Sequence, residues 1–88
     1  MFTKEVTIHK AAVGLMPRPV AAVLVQKAYE FKSRIWVEKD DNRADSRSLL
    51  DMLSLLIHDG DKVSIIADGA DEQEAVASLA QLVESTPV

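Results

Sequence analysis

Gly14-Leu15-Met16-Pro17-Arg18-Pro19 is the stretch on which the fold turns. A strand-like segment precedes it and a helix-like segment follows. Gly14 permits a sharp turn, Pro19 suits the first position of a helix, and Arg18 stands where helix amides begin to point outward. Free N–H groups, a positive dipole end and a guanidinium together make an expected anion site. Its central residue is Met16, whose thioether neither accepts a phosphoryl group nor moves a proton. The site therefore reads as built for an anion but lacking a nucleophile.

On the N-terminal side the chain alternates. Phe2, Lys4, Val6 and Ile8 share one face, and Thr3, Glu5 and Thr7 the other, which predicts a half-buried strand over 2–9. On the C-terminal side a helical period runs over 19–31. Ala21, Leu24, Val25 and Ala28 form its stripe, with Phe31 near the end and Gln26, Lys27 and Glu30 off it.

Alternation returns over 34–39, with Ile35 and Val37 pointing one way and Arg34, Trp36 and Glu38 the other. Lys39-Asp40-Asp41-Asn42 is a turn by composition, and a short polar strand over 43–47 follows. A second helix is predicted over 48–57, opened by Ser48 and Asp51 in a capping arrangement. Asp59-Gly60-Asp61 turns the chain into a strand over 62–67, with Val63 and Ile65 on one face. Asp71-Glu72-Gln73-Glu74 supplies a cap and an acidic first turn for the last helix, whose stripe is Ala75, Val76, Leu79, Leu82 and Val83. Residues 85–88 are expected to fray. The order is β-α-β-β-α-β-α, and the polar outer faces of the strands imply a sheet covered on one side.

Composition narrows the function classes. Eighty-eight residues suit one domain, 1–88, with a single core. A net charge of −4 argues against a nucleic-acid partner, whose footprint would be basic. The absence of cysteine excludes disulfides and thiolate metal sites. Met1-Phe2-Thr3-Lys4-Glu5 is no signal peptide and no apolar run reaches membrane-spanning length, so a cytoplasmic protein without membrane insertion is expected. No cofactor is expected.

The order and motifs resemble HPr, the small histidine phosphocarrier of the bacterial sugar phosphotransferase system. Glu5-Val6-Thr7-Ile8 is similar to its first strand, and Gly14-Leu15, Arg18-Pro19 and the alanine-rich segment after them to its active-site loop and first helix. Arg47-Ser48-Leu49-Leu50 resembles the basic-Ser-aliphatic start of its second helix; Gly69 and Asp71-Glu72-Gln73-Glu74-Ala75 resemble its last turn and helix. The resemblance implies an α+β open-faced sandwich: an antiparallel four-stranded sheet in order 1-4-2-3, with three helices on one face.

In that family a histidine follows Gly-Leu and carries phosphate from enzyme I to sugar permeases. Met16 takes its place here, Pro17 stands between it and Arg18, and a one-residue shift of register brings Pro17 rather than histidine to the position. A regulatory branch lacks the histidine but keeps the serine of the second helix. A kinase modifies that serine, and the product binds a catabolite-repression transcription factor. Ser48 matches it, although glutamine is usual in place of the histidine in that branch, and Asp51 is more acidic than is common.

The resemblance implies a non-enzymatic, protein-binding role through Arg18, Leu49, Leu50 and Leu53, switched by phosphorylation at Ser48, with phosphotransferase-system or catabolite-regulation proteins as partners. Each residue has a plainer reading: Arg18 as a leftover of a decayed site, Ser48 as a helix cap, the leucines as scattered surface residues. Leu49, Leu50, Met52, Leu53, Leu55, Leu56 and Ile57 nonetheless exceed what one buried stripe needs, so an exposed apolar patch is expected. His9 and His58 lie far apart without a partner motif, and Trp36 is expected to pack across the open sheet face beside Ile66. Two alternatives stay open: a phosphocarrier with an unusual acceptor, and an unrelated small-molecule-binding α/β module.

Overall fold

The computed structural model describes residues 1–9 and 20–84. In chain order its elements are β1 (Phe2–Thr7), α1 (Val20–Ala28), β2 (Arg34–Lys39), β3 (Asn42–Asp45), α2 (Leu49–Ser54), β4 (Lys62–Asp68) and α3 (Glu72–Glu84). The strands form one antiparallel sheet in the order β1-β4-β2-β3. This is the α+β open-faced sandwich with the strand order that the resemblance implies.

Alternation sends Val6, Ile35, Val37, Val63, Ile65 and Ala67 to the face under the helices, where all are buried. Helix α1 contributes Ala21, Leu24 and Ala28 to this core, and α3 contributes Ala75, Val76, Leu79, Ala80 and Val83. Apolar residues three and four apart put these side chains on one stripe. Phe2 and Lys4 are exposed although they share a face with Val6; β1 is an edge strand, and Lys4 pairs with Glu84 at 3.7 Å.

The ends of elements differ from the sequence expectations. Strand pairing in β1 stops at Thr7; Ile8 then exchanges backbone bonds with the turn, its N–H donating to Asp61 (2.8 Å) and its carbonyl accepting from Gly60 (2.8 Å). Helix α1 ends at Ala28, and Phe31 packs against the core from the following turn. Strand β3 stops at Asp45 rather than 47, because the Ser48 N–H donates to the Asp45 carbonyl and begins the turn into α2.

The largest difference is the second helix, expected to reach Ile57 and ending at Ser54. Its last turn tightens: the Leu55 N–H donates to Met52 and the Leu56 N–H to Leu53, each at 3.2 Å. Leu56 then adopts φ 53°, the left-handed conformation that usually falls to glycine at a helix end. Lys39 holds it there. Its Nζ donates to the Leu56 carbonyl at 2.6 Å and pairs with Asp61 at 2.8 Å, and Asp61 also accepts the His58 N–H at 2.7 Å.

A second tie fixes the start of α3. The Asp71 carboxylate accepts the N–H groups of Lys32 (2.8 Å) and Ser33 (2.9 Å) and the Ser33 hydroxyl. The hydroxyl bond and the Lys32 amide hold the Asp71 carboxyl well below its ordinary range, at about 2. Gly69 leaves room for this contact. A Cβ there would stand 2.7 Å from Ser33 Cα, and the φ of 156° is itself unsuited to other residues.

Candidate protein-binding face

The site grows from the turn after β3. The Asp45 side chain accepts the Arg47 N–H at 2.9 Å, and its carbonyl accepts the Ser48 N–H at 3.0 Å. Ser48 thereby takes an extended conformation (φ −107°, ψ 109°) and caps α2, its Oγ accepting the Asp51 N–H at 3.3 Å. The capping pair expected from the sequence is present.

Helix α2 turns Met52 wholly inward and Leu55 nearly so. The other leucines of this segment face out: Leu49 is 44 % exposed, Leu50 81 %, Leu53 43 % and Leu56 67 %. In a helix Leu49, Leu53 and Leu50 fall within one arc of about 100°. Three of the expected site residues, Leu49, Leu50 and Leu53, are therefore brought together beside Ser48, and Leu56 extends them. Met16 and Arg18, like Gly14, Pro17 and Pro19, lie outside the described residues.

Arg47, immediately before Ser48, is committed inward. Its Nη2 donates to the Phe31 carbonyl, its guanidinium lies 6.0 Å from the Tyr29 ring, and the Tyr29 hydroxyl donates to its carbonyl at 3.1 Å. This clasp joins the end of α1 to the start of α2. Sequence reasoning missed Tyr29, which is largely exposed and carries no periodic signal. Its separation of 18 residues from Arg47 gives no local cue.

The His9 N–H donates to the Val83 carbonyl at 2.7 Å and the His58 N–H to Asp61. Trp36 stands opposite Ile66 on the open face, with the Arg34 guanidinium 5.5 Å from its ring, and Ile66 is buried there. The expected cross-strand packing is present. Among the described residues no helix is long and apolar enough to cross a membrane.

A family model described as "PTS HPr component phosphorylation site" matches residues 2–85. The HPr-like protein Crh of Halalkalibacterium halodurans is 39% identical over 84 residues, covering 96% of this chain and 98% of Crh. The phosphocarrier protein HPr of Borreliella burgdorferi is 40% identical over 82 residues, covering 93% and 94% respectively. Among solved structures, HPr from Bacillus anthracis superposes with a TM-score of 0.83 at 31% identity, covering 94% of this chain and 96% of that one. The fold is thus that of the small phosphocarriers and their HPr-like relatives. The chain belongs to the HPr family of the phosphotransferase system.

Proposed function

We propose that this chain is a regulatory, protein-binding member of the HPr family, a single domain over 1–88 that carries no phosphate on histidine. Met16 follows Gly14-Leu15 where the resemblance places the phosphoacceptor, and its sulfur offers no nucleophilic nitrogen. One observation carries the reading. The Ser48 hydroxyl caps α2 directly beside Leu49, Leu50 and Leu53, so one modification alters charge at the edge of one apolar face. Arg18 completes that face in this reading, and a phosphotransferase-system or catabolite-regulation protein occupies it.

Phosphate on Ser48 is favoured by the amides at the start of α2 and opposed by Asp51, so its consequence is a change in partner choice more than in fold. Two incubations test the proposal. With phosphoenolpyruvate and enzyme I the protein stays unlabelled; acid-labile phosphate on His9 or His58 would overturn the non-carrier reading. With ATP and a serine kinase active on Crh, phosphate is expected on the wild type and absent from Ser48→Ala. Equal labelling of both removes the switch.

A further inference from the structure

The resemblance accounts for Leu49, Leu50 and Leu53 but gives no reason for Leu56. Leu56 lies past the end of α2, in a left-handed conformation a leucine adopts only at a cost, and is largely exposed. A bulky apolar side chain gains nothing for the core from that position. Strain of this kind persists only where surrounding structure imposes it, and it concentrates at ligand clamps and switch regions. Here the imposing groups are identified: Lys39 Nζ at 2.6 Å from the Leu56 carbonyl and 2.8 Å from Asp61, with Asp61 bound in turn to the His58 N–H.

Charge indicates what fits against it. Lys39 ends β2, so the same clasp brings the Asp40-Asp41 turn beside the Leu56 loop. Asp40 and Asp41 are exposed and pair with no cation among the described residues. The only lysine of the clasp is already neutralised by Asp61. The far end of the leucine face is thus apolar with an acidic margin.

We propose that Leu56 is a contact ledge, fixed outward by Lys39, that receives an aliphatic side chain from a partner protein whose flanking residues are basic. Lys39 is a positioning residue in this scheme and touches no partner. The inference rests on the leucine face being a docking surface, and it is independent of Ser48 phosphorylation and of the missing histidine.

The test is an NMR titration of the ¹⁵N-labelled full chain with two synthetic amphipathic helical peptides, one with a leucine stripe flanked by lysines, the other with glutamates in their place. The lysine peptide should shift Leu53 and Leu56, and the glutamate peptide should bind several-fold more weakly. Leu56→Asn keeps a residue tolerant of the left-handed conformation and should lower affinity by about tenfold while remaining folded. Lys39→Met should relax Leu56, seen in its HN–Hα coupling and intraresidue NOE, and weaken the same peptide; Lys39→Arg should restore both.

Shifts at Leu49, Leu50 and Leu53 with none at Leu56 overturn the ledge alone. Shifts at none of the four overturn the docking face and the ledge together. Equal binding of both peptides overturns the basic partner, and unchanged Leu56 geometry in Lys39→Met overturns the role given to Lys39.

Discussion

Helices α2 and α3 are both rich in apolar residues, and they use them in opposite ways. Helix α3 runs thirteen residues from Glu72 to Glu84 and buries Ala75, Val76, Leu79, Ala80 and Val83. Its start is pinned to Ser33 through Asp71. Helix α2 spans six residues, buries Met52 alone within its bounds, and turns Leu49, Leu50 and Leu53 outward. A six-residue helix is far below the length at which helices stand alone in water. Its persistence therefore depends on the Ser48 cap, the Met52 and Leu55 anchors and the Lys39 clasp. Leucine content says little about burial; the number of turns a helix offers the sheet decides it.

Substitutions separate the two helices in order of effect. Leu79→Ala removes a fully buried side chain from α3 and should cost about 2–5 kcal/mol in urea unfolding. Gly69→Ala forces a methyl against Ser33 and a residue into a glycine conformation, and should cost about 1–3 kcal/mol by the same assay. Ser48→Ala removes only the α2 cap and should cost about 1 kcal/mol. Leu50→Asp should change stability by no more than about 0.5 kcal/mol, yet weaken a partner by about 1 kcal/mol or more in calorimetric titration. If Leu50→Asp destabilised as Leu79→Ala does, the contrast between the helices would collapse.

Acid sharpens the contrast further and changes nothing at neutral pH. Asp71 has its carboxyl depressed from an ordinary 3.8 to about 2, chiefly by the Ser33 hydroxyl. A depressed carboxyl lends stability in full above its unfolded value and loses it as pH falls toward the folded one. The α3 pin should therefore weaken between about pH 4 and pH 2. In Ser33→Ala the Asp71 carboxyl should titrate higher, as followed by carbon-detected NMR, with the acid transition moving upward accordingly.

What the sequence shows and what it hides divide along chain distance. The period-two runs around Val6, Ile35 and Val63, and the stripe through Ala75, Leu79 and Val83, are local signals and were legible. So was Ser48 over Asp51, a cap completed within three residues. The expected surplus of apolar residues in 49–57 is real, although periodicity alone did not say which leucines face outward. The ties that end α2 early and pin α3 were not legible. Lys39 meets Leu56 across 17 residues and Ser33 meets Asp71 across 38, and no local pattern encodes either. Leu56 hides best of all, since its conformation contradicts its own propensity.

Trp36 gives the molecule a gauge of its own. It is the chain's one tryptophan, and its indole lies on the uncovered side of the sheet with the Arg34 guanidinium over it. Its emission should follow loss of the sheet, and its cross-strand partner Asp45 holds the turn into α2. Tyr29, whose hydroxyl touches the backbone just before Ser48, is the chain's one tyrosine, and its absorbance should respond to whatever settles on α2. Two natural chromophores thus stand on the two sides of the sheet, and an unlabelled sample in one cuvette follows both.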